Sequence, residues 1–250
     1  MNPIYNRTAI LVGDAAMKAF SEAKVIIFGV GGVGSWCAEG LLRSGVTRLT
    51  LVDSDTVSVS NVNRQDMATM KTIGQVKVEA LRDRLLEINP SAEITAIRAI
   101  YCEDTAGEFD LDSYDYVIDA IDSLKDKSCL ILAAAASRAT LFSAMGAALK
   151  TDPTKVRVAE FWDVRGCPLA SAIRKKYRRN NTLPAKKFLC VYDDEVLPNA
   201  GTVNYALEEP STGCGSTSKA VTNGTMAHIT AIFGFTLSGL ILQDIVSRHR

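Results

Sequence analysis

The sequence has no CxxC pair, only two histidines and no excess of charge of either sign. Each shortage narrows the field. Six cysteines (Cys37, Cys102, Cys129, Cys167, Cys190 and Cys214) stand singly, a spacing that argues against a structural zinc site. With no secretory leader evident in MNPIYNRTAILVG, they predict a reducing, cytoplasmic setting. His228 and His249 are read as a helix residue with a satisfied ring and part of a disordered terminus, and neither is assigned to catalysis. Lys+Arg and Asp+Glu both number 28, so any preference for nucleic acid must come from a local cluster. Long hydrophobic runs are also scarce. The uncharged core of TMAHITAIFGFTLSGLILQDIV, from Ile229 to Leu242, falls short of the ~20 residues a bilayer span needs, so a buried core helix is expected rather than membrane attachment.

What is present suits an enzyme with one large core. The 250 residues are 47% hydrophobic and show no internal repeat or low-complexity linker, which predicts a single domain over residues 1–250. Apolar runs KVIIFG, RLTLVD, AEITAIRAI and YDYVIDAI read as strands, with VGSWCAEGLLRSG and TIGQVKVEALRDRLLEIN as helices between the first three. KDKSCLILAAAASRA reads as a further helix before a strand at TLFSAMGAA. This alternation predicts an α/β fold, a Rossmann-like doubly wound and mainly parallel sheet. After about residue 150 the pattern loosens into a strand near KVRVAEFW, a basic helix at PLASAIRKKYRRN, a Gly/Ser/Thr-rich stretch at 211–224 and the final apolar helix.

Chemistry concentrates where strands end. In GVGGVG, Gly29, Gly31 and Gly34 have dinucleotide-fingerprint spacing between a strand and a helix, where backbone N–H groups meet phosphate oxygens. Asp53 ends the second strand, where a carboxylate accepts hydrogen bonds from ribose. Alone, these features favour a nicotinamide cofactor. The following DSDTVSVSNVNRQ adds Asn61, Arg64 and Gln65, with Lys77 about one turn into the next helical segment. Such cations suit a nucleoside triphosphate, whose attack at the α-phosphate concentrates negative charge. VIDAIDS supplies Asp119 and Asp122 at the ligand-binding edge, Asp122 being either a magnesium holder or a helix N-cap.

YNRTAIL, GVGGVG, VDSDTVSVSNVNRQ, GQVKVEA and IDAIDS, in that order and spacing, resemble the adenylating family that includes ubiquitin-activating enzymes and their bacterial relatives in molybdopterin and thiamin synthesis. The likeness runs over residues 5–150 and implies that Gly32, Asp53, Asn61, Arg64, Lys77 and Asp122 contact ATP or its Mg2+, with Gln65 and Ser123 on the same loops. It further implies a homodimer in which Arg7 reaches the neighbouring subunit's triphosphate; from the residues alone Arg7 is an ordinary surface arginine. Sulfur-carrier activators of this family usually carry two CxxC pairs, absent here. GVGGVGSW, SYDYVIDAIDS, DPTKVRVAEFWD, CPLASAIRKKYRR and TAIFGF are instead similar to its tRNA threonylcarbamoyladenosine dehydratase branch. That resemblance implies ATP-dependent cyclisation of threonylcarbamoyladenosine at position 37 of tRNA, with activation of a ubiquitin-like sulfur carrier as the alternative. A sulfur-relay protein is a further candidate partner.

The implied substrate gives meaning to the basic run. Arg174, Lys175, Lys176, Arg178 and Arg179, with Lys186 and Lys187 after them, are expected to meet tRNA phosphates, while Tyr177 and Phe188 offer faces for base stacking. A solvated helix face is the other reading. Residues 1–150 are thus assigned to ATP and 151–250 to the tRNA-facing part. Cys214, in STGCGSTS, is the best-placed thiol for a thioester, but with no base or cation beside it in sequence the favoured reading is a buried or incidental cysteine.

Overall fold

Strand register brings the chemistry to one edge. The computed structural model describes residues 2–201 and 223–249. β1 (Lys24–Phe28), β2 (Arg48–Val52), β3 (Glu93–Ile97), β4 (Tyr116–Asp119), β5 (Thr140–Ala144), β6 (Arg157–Glu160) and β7 (Leu189–Tyr192) form one sheet of order β3-β2-β1-β4-β5-β7-β6. Every neighbouring pair is parallel except β6 with β7. Phe28 lies in register with both Val52 and Asp119, so Gly29, Asp53 and Ala120 leave the sheet side by side. The strand order also reverses between β1 and β4, making this edge the switch point at which such sheets bind ligands.

Helices cover both faces, which is why Val25 to Phe28 of β1 are wholly buried and apolar. α1 (Asn6–Val12) and α2 (Asp14–Glu22) precede β1, α3 (Gly34–Ser44) follows it, and α4 (Lys77–Ile88) and α5 (Leu124–Ala136) complete the crossovers. α6 (Pro168–Asn180) has the boundaries its sequence predicts, from Pro at the first turn to left-handed Asn181 at the end. α7 (Ala227–His249) lies against α3 and buries Ile229, Phe233, Leu237, Ile241 and Ile245 as one stripe. Each such side chain contributes roughly 1.5–3 kcal/mol of burial. Small residues permit the close contact: a Cβ on Gly234 would lie 2.5 Å from the Val33 carbonyl oxygen. The helix, with a mean hydropathy of 1.7, is long and apolar enough to cross a membrane, yet this stripe lies inside the core.

Three elements escape the sequence pattern. α1 buries no residue and leaves Ile10 86% and Leu11 79% exposed, so it carries no amphipathic signature. α2 fell in a stretch with no strand–helix alternation around it. β7 follows directly on a basic run, and its exposed Leu189 before three buried residues shows no alternation.

Candidate active site

Backbone crowding dictates two of the four glycines after β1. Gly29 has φ +83°, and a Cβ there would lie 2.8 Å from the Ala120 carbonyl oxygen. A Cβ on Gly34 would lie 1.9 Å from the Gly29 carbonyl oxygen. A Cβ on Gly32 would lie 3.1 Å from Thr230 Cγ2 of α7, whereas one on Gly31 would meet only the Gln65 amide nitrogen, at 3.7 Å. α3 starts at this turn without a side-chain cap from Val33, so its first-turn N–H groups and the helix dipole favour an anion there. Gly34→Ala is expected to destabilise the fold by about 3 kcal/mol, the upper end for overpacking. Gly31→Ala should leave stability within about 1 kcal/mol but weaken nucleotide binding, because its Cβ would enter ligand space. Urea unfolding and nucleotide titration of both variants check this pair.

Asp53 locks the turn to the next loop. Its carboxylate accepts from Val30 N and Asp55 N, both at 2.9 Å; burial pushes its pKa up and Lys77 opposes the shift. Lys77 is the first residue of α4 rather than one turn inside it, because residues 73–76 form a turn and bridge that bring Val76 to the N-cap. Its buried ammonium meets Asp55 Oδ2 at 2.9 Å. Asn61 accepts from Ser58 N in a capping box, which fixes the loop's first turn. Arg64 donates to Ser60 O at 2.7 Å and Asn63 Oδ1 at 2.9 Å, and its carbonyl accepts from Trp36 Nε1 at 3.0 Å. Gln65 is 6% exposed; its amide nitrogen faces the Gly31 position, and its Oε1 has no partner among the described residues. That unmet acceptor calls for a hydrogen-bond donor, such as a nucleotide's hydroxyl or amino group, while the uncapped helix start beside the turn favours phosphate.

Beneath this loop Arg84 donates to Asp66 Oδ2 at 2.7 Å and lies 3.3 Å from Glu39 Oε2, while Arg43 holds Glu39 Oε1 at 2.6 Å. Burial, helped by Glu39 and opposed by Arg84, pushes the Asp66 carboxyl up to about 6.

At the end of β4 the two aspartates separate in role. Asp119 is wholly buried, 2.8 Å from Lys127 Nζ and 2.6 Å from the Ser143 hydroxyl that donates to it, so it does not reach the ligand edge as expected. Lys127 also donates to Ile121 O at 3.0 Å, holding the loop that presents Asp122. Asp122 is exposed, and Ser123, not Asp122, is the N-cap of α5, accepting from Asp126 N at 3.5 Å. Among the described residues no group of three His, Cys, Asp or Glu side chains could hold a metal. A magnesium ion at Asp122 would therefore depend on phosphate oxygens and water, its usual arrangement in phosphoryl-transfer sites.

The basic helix divides. Arg174 donates to Phe161 O at 2.8 Å, Lys176 to Ser128 Oγ, and Lys186 to Ser137 O and Ala139 O, so these three also fasten the fold. Lys175, Arg178, Arg179 and Lys187 are exposed. Tyr177 and Phe188 are 1% and 5% exposed, and Phe188 stacks on Phe161; neither offers a face to a base, because both fill the core beneath α6. Arg7 is exposed on α1 and, among the described residues, makes no hydrogen bond or ion pair. Cys214 lies outside the described residues, while burial pushes the Cys37 and Cys190 thiols up, away from the thiolate form.

The sequence profile of the ThiF family matches residues 5–246. The chain belongs to the ThiF family. A tRNA threonylcarbamoyladenosine dehydratase from Escherichia coli (strain K12) is 31% identical over 98% of this chain and 94% of its own length. One from Bacillus subtilis (strain 168) is 38% identical over 76% of this chain and 74% of its own. The crystal structure of the E. coli tRNA N6-threonylcarbamoyladenosine dehydratase in complex with ATP superimposes with TM-score 0.84 at 29% identity, covering 98% of this chain and 94% of that one.

In this ThiF-family chain several working residues carry no motif of their own. Thr230 of α7 buttresses Gly32 from 198 positions away, a long-range contact that no local pattern announces. Asp55, Asp66 and Arg84 act through ion pairs that form only once the loop folds over α4. Asp55 alone had a signal, two carboxylates flanking one residue in DSD.

Proposed function

We propose that this protein uses ATP to adenylate the carboxylate of threonylcarbamoyladenosine at position 37 of tRNA, and so closes that side chain into a ring with net loss of water. The carrying observation is the chain-long likeness to dehydratases, one of them in complex with ATP, combined with an open Gly31 turn flanked by Lys77, Arg64 and the orphaned Gln65 acceptor. In the proposed mechanism the turn and the start of α3 receive the triphosphate, Asp53 takes the ribose, and the substrate carboxylate attacks the α-phosphorus. Lys77 and Arg64 stabilise the charge gathering there as pyrophosphate departs. Ring closure then expels AMP, which carries away one carboxylate oxygen. No protein nucleophile is needed; positioning and electrostatics suffice.

Asp122 would hold Mg2+, which neutralises phosphate charge when bound. The protein acts in the cytoplasm as a homodimer, with Arg7 of the partner subunit completing the triphosphate site. Exposed Ile4, Ile10 and Leu11 around Arg7 support that arrangement. Residues 1–150 serve ATP and 151–250 face the tRNA.

The test is AMP formation from ATP by the purified protein. It should depend on tRNA carrying uncyclised threonylcarbamoyladenosine and yield one AMP per modified tRNA. AMP formed only with a ubiquitin-like sulfur-carrier protein would replace the substrate.

A further inference from the structure

Arginines from a loop and from α6 converge beside the segment that follows β6. β7 runs parallel to β5, so its end lies on the same edge as the glycine turn. Gly166 packs there: a Cβ on it would lie 2.5 Å from Asp194 Cβ, two residues past β7. α6 therefore starts at the ligand edge. It ends at the opposite one, where Lys186 grips Ser137 and Ala139, just before β5 begins. At 1.5 Å per residue, Arg178 and Arg179 stand roughly 15 Å from that start.

Between this start and the end of β6, which runs antiparallel to β7, lies a cavity of about 290 Å³ lined by Arg165, Gly166, Cys167, Pro168, Ser171 and Arg174. Arg165 uses one nitrogen on Trp162 O at 3.2 Å and Arg174 one on Phe161 O at 2.8 Å, which leaves most of each guanidinium's donors for a ligand. Among the described residues neither arginine forms an ion pair; Asp194, against Gly166, is engaged by Arg157 at 3.6 Å. Burial and then the charges of Arg165 and Arg178 push the Arg174 pKa down, so like charges crowd together with no acidic partner for Arg165 or Arg174 among the described residues. Such an arginine pair at an open cavity is matched by a doubly accepting oxyanion, and guanidiniums bind phosphate in that forked manner.

We propose that this cavity receives a backbone phosphate of the RNA substrate, while Lys175, Arg178 and Arg179 extend the contact along α6. The inference rests on the tRNA reading above and adds Arg165 and Ser171 to it.

The probe is the tRNA itself, bound to the full chain across a salt series, with wild type, Arg165→Ala, Arg165→Lys and Lys18→Ala compared. Arg165 is exposed and bonds only one carbonyl, so its removal leaves the fold intact. Arg165→Ala should weaken tRNA binding roughly tenfold, the worth of one charge-assisted bond. The slope of log K against log salt should shrink by about 0.7–0.9. Arg165→Lys should recover part of the affinity, ATP binding should be unchanged in all, and Lys18→Ala, an exposed cation on α2, which packs on α7 rather than α6, should match wild type. Wild-type affinity and slope in Arg165→Ala overturn the phosphate cavity while leaving the tRNA reading intact. A wild-type protein with no salt-dependent tRNA binding overturns both.

Discussion

A Lys77→Ala variant is expected to keep its fold and lose roughly 10²–10³-fold in kcat/KM for ATP-dependent dehydration, equivalent to about 2.7–4 kcal/mol of transition-state stabilisation. Lys77 is buried at the first position of α4 and paired with Asp55 at 2.9 Å. Phosphate entering the turn would draw that ammonium from a carboxylate to a larger anionic charge without any movement of the backbone. Removing the lysine also takes away a buried stem and the charge that opposes the pKa rise of buried Asp53, so a folding cost of about 1–3 kcal/mol accompanies it. Steady-state kinetics beside urea unfolding separates the two effects: a large fall in kcat/KM is expected in a variant that is still folded, below its lowered unfolding midpoint. Full activity in the variant would remove Lys77 from the chemistry.

Lys127→Met is expected to show the reverse balance, a loss of about 3–5 kcal/mol in unfolding free energy, the cost of stranding one member of a buried ion pair. Asp119 and Lys127 are both fully buried at 2.8 Å. Burial already pushes the Asp119 carboxyl up, with Lys127 opposing it, so without the lysine the folded state favours the protonated acid still more strongly. A folded pKa raised above its unfolded value gives stability that is present at low pH and lost as pH rises. The gap between variant and wild type should therefore be smallest in acid and widen toward neutrality. Lys127→Met/Asp119→Asn should recover most of the loss, since no buried charge remains. A gap that does not change with pH would mean that packing, not charge, accounts for Lys127.

The sequence reveals what rests on local periodicity and misses what depends on long-range packing. GVGGVG reads correctly because a strand, a tight turn and a helix start leave their marks within ten residues, and α6 reads correctly because Pro168 and Asn181 punctuate it. Asp119 and Asp122 look alike in VIDAIDS, yet β4 ends at the first, burying it against Lys127 from the following helix. Tyr177 and Phe188 sit among cations in the chain but point into the core beneath them, since α6 is amphipathic and its apolar stripe faces the sheet. The cavity between Arg165 and Arg174 joins a loop to a helix, and only the folded path of residues 161–174 brings it together.

The most direct measurement is mass analysis of nucleosides from tRNA bearing uncyclised threonylcarbamoyladenosine, incubated with the purified protein with and without ATP. The account predicts that ATP alone converts the modified nucleoside to a species lighter by one water. An unchanged nucleoside mass, with ATP bound at the Gly31 turn, would contradict it and mark a carboxylate on another molecule as the group activated.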